Sequence, residues 1–172
     1  KFFGRIGGIS AISLEMVDGG VLENVNVSNI VVEGTASPIF IRLGNRARGY
    51  KEGMTIENIG KINGVHISNV QVHNADSFGC SITGLPGYPV ENITLDNITI
   101  HHKGGVKSED LPTIKQRVAD EREKSYPEAT MWGTLPAKGF FVRHARNVKF
   151  SNIEIRTEEP DARSEFVLLD VE

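Results

Sequence analysis

Asn24-Val25-Asn26-Val27-Ser28-Asn29-Ile30 recurs as Gly64-Val65-His66-Ile67-Ser68-Asn69-Val70, as Asn92-Ile93-Thr94-Leu95-Asp96-Asn97-Ile98, and as Asn147-Val148-Lys149-Phe150-Ser151-Asn152-Ile153. The shared pattern is apolar, variable, apolar, Ser or Asp, Asn, apolar. Alternation with period two marks short strands, and the polar pair predicts a sharp bend between two of them. Asn at one fixed place has a physical use, because it tolerates left-handed backbone angles. Stacked at the strand spacing of about 4.8 Å, such side chains can form a hydrogen-bonded ladder. The pattern predicts that Asn29, Asn69, Asn97 and Asn152 occupy equivalent corners, satisfied by neighbouring backbone.

A second strand register lies between the repeats, at residues 11–15, 38–42, 80–83, 140–143 and 166–169. Its alternation points Ile12, Leu14, Ile39, Ile41, Cys80, Ile82, Phe140, Val142, Phe166 and Leu168 inward. Glu15, Arg42, Thr83 and Arg143 then point outward. Three short strands per unit, repeated, predict an all-β fold: a right-handed single-stranded parallel β-helix of about five coils. A leucine-rich solenoid would need more Leu, and a sandwich would need shorter antiparallel hairpins.

Residues 1–172 read as the C-terminal part of a single β-helix domain, interrupted near 45–60 and 103–138. The first interruption is polar and glycine-rich. In the second, Leu111, Ile114 and Val118 fall at helical spacing, Ser108 suits a helix start, and Pro127 is expected to close that helix. Long loops on one side of a repeat protein usually wall its binding surface. Core anchoring is the expected job of Tyr126 and Trp132.

The formal net charge of -3 gives no electrostatic reason to expect nucleic acid. No apolar run is long enough to span a bilayer. Cys80 is the single cysteine and predicts a buried, inert thiol. The histidines show no shared metal-ligand spacing, so no metal and no cofactor are expected.

Pro38 to Arg46, Ser81 to Gly87, Leu135 to His144, and Pro160-Asp161-Ala162-Arg163 together resemble bacterial members of glycoside hydrolase family 28, the polygalacturonase-like enzymes. The resemblance implies a pectin-lyase-like solenoid and inverting hydrolysis of α-1,4-galacturonosidic linkages in pectic polysaccharide or oligogalacturonide. It also implies an extracellular or periplasmic location. The family's Asn-Thr-Asp, Asp-Asp and Gly-His-Gly motifs are absent, so its catalytic carboxylates are expected upstream of Lys1. Where the family carries Arg-Ile-Lys this chain has Ser13-Leu14-Glu15.

Inverting hydrolysis needs an acid and a base about 6.5–9.5 Å apart. No such pair can be named here; Glu15 is the one weak catalytic candidate, and Asp18 before Gly19-Gly20 reads as a turn residue. A uronate ligand calls for the planar fork of arginine. Arg42, Asn45, Arg46, Arg143 and His144 are therefore the expected substrate-binding residues. The competing readings are a non-catalytic carbohydrate-binding β-helix of adhesin or tail-spike type, and a β-helical polysaccharide lyase.

Overall fold

The structure is a computed structural model and describes residues 9–172. The strands are β1 (Ser10–Met16), β2 (Val21–Glu33), β3 (Ser37–Leu43), β4 (Lys61–Ala75), β5 (Cys80–Thr83), β6 (Val90–Gly104), β7 (Ala137–Glu159) and β8 (Ser164–Val171). Between β6 and β7 a 3-10 turn (Ser108–Asp110) runs directly into the helix α1 (Leu111–Val118). All strand pairings are parallel. Among the described residues a single antiparallel bridge, Leu85 to Tyr88, stands outside the strands. The sheet order is β1-β3-β5-β7-β6-β4-β2, with β8 attached to β7. The 23-residue β7 carries both registers and joins the odd-numbered arm to the even-numbered arm. The chain alternates between the arms once per repeat, and the end strands of the path, β1 and β2, are consecutive in sequence.

The recurring asparagines explain how long strands can curl without breaking. Asn29, Asn69, Asn97 and Asn152 all have φ between 51° and 59°. Five residues earlier, Asn24, Gly64, Asn92 and Asn147 form a second left-handed column. Gly and Asn are the residues that enter this region at least cost, which is why Gly64 can stand in for Asn. Each left-handed residue bends its strand, while the residues on either side keep their parallel partners. Val25, Val65, Ile93 and Val148 form one such row; Val27, Ile67, Leu95 and Phe150 form the next.

The amides then bond along the row. Asn69 Nδ2 donates to Asn29 Oδ1 at 3.1 Å, Asn97 to Asn69 at 2.8 Å, and Asn152 to Asn97 at 2.8 Å. The asparagines do share one corner, but their side chains bond each other rather than neighbouring backbone, and the ladder is exposed. Each rung is therefore a solvated neutral bond, at the lower end of about 0.5–1.5 kcal/mol.

The expected β-helix is corrected at this point. The polar bend does not divide two short strands, because an Asn in the left-handed region turns the backbone without ending the pairing. The strands merge into single elements of up to 23 residues. The product is one continuous sheet curled around its core, a nearly closed parallel β-barrel, and not the open right-handed solenoid of about five coils.

Inside the sheet, Ile39, Ile41, Ile62, Ile67, Cys80, Ile82, Ile93, Leu95, Phe140 and Val142 are fully buried. Phe140, Phe150 and Phe166 pack ring on ring, with centroids 5.0–5.9 Å apart. Burial pushes the Cys80 thiol up to about 12, so the thiolate that would react is suppressed. Leu168, expected inward, lies on the edge strand and is 54% exposed.

A second apolar cluster lies outside the odd arm. Phe40 and Phe141, facing away from the barrel, are covered by Val118, Ala129, Trp132 and Leu135 of the segment between β6 and β7. Helix α1 contributes Ile114 and Val118 to its buried side. It ends at Val118 with Ala119 as its C-cap, well before Pro127. The 3-10 turn begins at Ser108, as expected, and Asp110 accepts the backbone bond at its approach, from Lys107 N at 3.2 Å. Residues 44–60 contain neither strand nor helix. Among the described residues no helix is long and apolar enough to cross a membrane.

Candidate functional site

Glu15, Arg42, Thr83, Arg143 and Leu169 form one lateral row across β1, β3, β5, the first half of β7, and β8. Parallel pairing places them on the same outer face. Asn45 and Arg46 leave the end of β3, and His144 follows Arg143. All five residues expected to bind substrate therefore converge on one rim, but their surroundings differ sharply.

Arg42 is 1% exposed. Its Nη2 donates to the Glu121 carbonyl at 2.7 Å, and its Nη1 to the Gly84 carbonyl at 3.2 Å. A longer contact of 3.4 Å reaches Thr83 Oγ1. The guanidinium lies 5.1 Å from the Trp132 ring centre, within cation–π range. Burial, then the charge of Arg143, pulls its pKa down to about 10, against Glu121 and Glu123. Gly84 permits this packing: a Cβ there would come within 2.3 Å of the His144 carbonyl oxygen.

Arg143 is equally covered. Its Nη1 donates to the Val118 carbonyl at 2.5 Å, and Nη2 lies 3.1 Å from Glu121 Oε2. That ion pair is close but poorly aligned, leaving Nε, Nη2 and Glu121 Oε2 without a well-directed hydrogen bond. The same guanidinium lies over Trp132 and Phe141, at 5.3 and 5.5 Å. Trp132 is 1% exposed and donates through Nε1 to the Asp120 carbonyl at 2.8 Å. The two arginines thus clamp the inserted segment onto the sheet. In this structure neither has a donor facing solvent for a ligand carboxylate.

The other three candidates lie at the margin. Arg46 grips Asp18 through both Nε and Nη2, and the backbone N–H of Arg48 also donates to Asp18 at 2.9 Å. The Arg46 bond holds the Asp18 carboxyl below its ordinary range. Asp18 is thus more than the turn residue its two glycines suggested. Asn45 Nδ2 donates to Glu123 Oε1 at 2.8 Å. The Arg46 guanidinium lies 5.5 Å from the ring centre of Tyr126, which is 69% exposed and anchors no core.

His144 is held between two carboxylates. Its Nδ1 lies 2.6 Å from Asp170 Oδ2 and its Nε2 3.0 Å from Glu121 Oε1. A cleft of about 160 Å³ opens beside it, lined by Leu85, Gly87, Pro89, Arg146, Asp170 and Glu172 among others.

Glu121, Glu123 and Asp170 escaped the sequence reading. Glu121 and Glu123 belong to the charged run Asp120-Glu121-Arg122-Glu123, which has no apolar period to orient it. Asp170 follows its strand's last apolar pair, and only its row partner His144 reveals its place. Among the described residues, no cluster of His, Cys, Asp and Glu could hold a metal ion.

No family model matches the chain, and neither does any curated protein or solved structure. The resemblance to glycoside hydrolase family 28 is therefore withdrawn. With it go the solenoid architecture it implied, the polygalacturonase activity and the reading as a pectin-degrading glycosidase. The adhesin, tail-spike and lyase alternatives assumed the same β-helix and fall with it.

Proposed function

We propose that this chain is a ligand-binding module whose binding face is the charged rim of the odd strands, and that its ligand is cationic. The observation that carries this reading is the charge balance of the rim. Five carboxylates, from Glu15, Asp18, Glu121, Glu123 and Asp170, meet four arginines: Arg42, Arg46 and Arg143, whose guanidinium groups are already engaged, and Arg48, exposed beside Asp18. An anion arriving there would meet surplus negative charge, with Arg42, Arg46 and Arg143 already committed. An amine or guanidinium would meet carboxylates and the exposed face of Tyr126, a combination suited to cations.

Asn45 then acts by holding Glu123 in place, Arg46 by holding Asp18 and backing Tyr126, and His144 by holding Asp170. Glu15 is bonded locally by Ser13 Oγ at 2.5 Å and keeps its other oxygen for a ligand. Isothermal titration of the whole chain with spermidine, sulfate and a neutral disaccharide tests the reading. Spermidine alone should bind, with affinity falling as salt rises. Glu15→Gln and Glu123→Gln should each weaken it about five- to tenfold, equivalent to about 1–1.4 kcal/mol. Binding of sulfate in preference to spermidine, or of none of the three, refutes it.

A further inference from the structure

Helix α1 carries a stripe that the rim does not use. Asp110, its N-cap, stands with Thr113, Ile114 and Arg117 at i, i+3, i+4 and i+7, the spacing that brings side chains onto one side of a helix. Together with Val106 and Thr134 they line a cleft of about 290 Å³. Ile114, 3% exposed, and Val106 give it an apolar wall, the threonines give it hydroxyls, and Asp110 and Arg117 give it one charge of each sign. The walls are fixed before any ligand arrives. The Val106 carbonyl accepts from Ala162 N at 2.8 Å. On either side of Thr134, Gly133 N donates to the Thr130 carbonyl at 2.8 Å and Leu135 N to the Phe78 carbonyl at 2.9 Å. The bond from Lys107 N to Asp110 Oδ2 orients the carboxylate and leaves its Oδ1 open.

The two charges face one cleft and do not pair. Among the described residues Arg117 makes no hydrogen bond and no ion pair, and the hydroxyls of Thr113 and Thr134 are unbonded. Lys107 Nζ, the cation nearest to Asp110 in sequence, lies 3.8 Å from Glu109 instead. The Arg117 guanidinium is seated against the backbone of Gly133, where a Cβ would come within 2.5 Å of Nη1. Gly133 has φ 70°, so glycine serves both the backbone and the close approach. Seven residues, or about 10 Å of helix axis, separate Asp110 from Arg117, and the cleft lies between their side chains. A ligand that satisfies both must carry an anion and a cation a short distance apart on a partly apolar body. An anion alone would be opposed by Asp110, and a cation alone by Arg117.

We propose that this cleft binds a small zwitterion, an aliphatic α-amino acid, with its carboxylate on Arg117 and its ammonium on Asp110. The guanidinium fork receives the carboxylate oxygens through two parallel N–H donors, the geometry that arginine offers and lysine does not. Asp110 Oδ1 accepts from the ammonium, and the hydroxyls of Thr113 and Thr134 serve the hydrogen-bonding positions that remain. The aliphatic side chain lies on Ile114 and Val106, where it leaves water. None of the six lining residues belongs to the rim, so this site stands apart from the one proposed for a cation.

Calorimetric titration of the whole chain with L-leucine, isocaproate and isoamylamine tests this. Isocaproate is leucine without its ammonium, and isoamylamine is leucine without its carboxylate. Leucine should bind in the millimolar range, and isocaproate at least tenfold more weakly. Arg117→Gln and Asp110→Asn should each weaken leucine at least fivefold. Both side chains are exposed, and an asparagine side-chain oxygen can still accept from Lys107 N, so neither change threatens the fold. Glu15→Gln, at the rim, should leave leucine binding unchanged. Isoamylamine held at the rim would respond to Glu15→Gln and not to Asp110→Asn, so the two sites are told apart. Absence of leucine binding at tens of millimolar overturns the proposal, as does leucine binding that survives either cleft variant. Isocaproate binding as tightly as leucine overturns it too, as does isoamylamine binding that equals leucine and is lost with Asp110→Asn.

Discussion

Replacing Arg42 discriminates most sharply between a binding role and a structural one. Arg42 donates two short bonds to the carbonyls of Glu121 and Gly84 and lies over Trp132, wholly covered. Hydrogen bonds from a charged donor contribute about 1.5–3 kcal/mol each. Arg42→Ala removes both and leaves two carbonyls to find other donors. It also opens a void under the inserted segment and unbalances Arg143 and Glu121. Removing one member of a buried charged network costs about 3–5 kcal/mol, part of it offset by relief of the repulsion between Arg42 and Arg143. Arg42→Lys keeps the charge and can satisfy one carbonyl, so about half of that loss should remain. The chain has a single tryptophan, Trp132, which sits against the guanidinium and reports the clamp directly. Urea unfolding followed by its fluorescence should show a midpoint lowered by about 2 M for Arg42→Ala, given slopes of about 1–3 kcal/mol per M. The refuting result is an unchanged midpoint together with selective loss of binding to an anionic ligand. That would mean that the guanidinium serves a ligand and not the inserted segment.

Two further outcomes follow from the same geometry. His102 is buried, its Nδ1 accepts from Gly104 N at 3.2 Å, and its Nε2 has no partner among the described residues. Burial, with Arg163 nearby, pulls its pKa down to about 4. The unfolded chain therefore takes up a proton first, so stability holds above about pH 6.5 and falls as the pH drops toward 4, by up to about 3 kcal/mol. His102→Gln should flatten that slope in urea titrations between pH 7 and 4; identical slopes would contradict the assignment. Asn97 both donates and accepts in the ladder and has φ 53°. Asn97→Ala should lower stability by about 1–2 kcal/mol through the left-handed strain and the lost rungs. Asn97→Gly should recover the strain component, and thermal melts that rank the two variants equally would refute that division.

The sequence displayed what depends on one repeat being stacked on another. A fixed Asn followed by an apolar residue is a local signal, and four occurrences of it specify a row. That was enough to place the asparagine corner, the inward residues from Ile12 to Val142, and the outward row from Glu15 to Arg143. It was not enough to say how many strands a repeat holds. A bend and a break look alike in sequence, and a left-handed Asn makes a bend whose strand continues. The expected three short strands became long merged ones for that reason, and the open solenoid became a nearly closed barrel.

Alternation also gives direction relative to the sheet and not relative to water. Arg42 and Arg143 do point outward, but so do Phe40 and Phe141, and one covering segment buries all four. The charged run that follows α1 had no periodicity to show where it lands. Once it lands, Glu121 becomes the hinge of the rim. Its carbonyl receives Arg42, its Oε2 faces Arg143, and its Oε1 holds His144. The acid that compensates a buried arginine is thus the acid that shapes the exposed edge of the site. The surplus of carboxylates at the rim follows from this arrangement. Two cations covered by a tryptophan require negative charge close by, and the segment that covers them supplies it together with Glu123, which the arginines do not bond. The same packing that makes Arg42 unavailable to an anion therefore leaves the rim receptive to a cation.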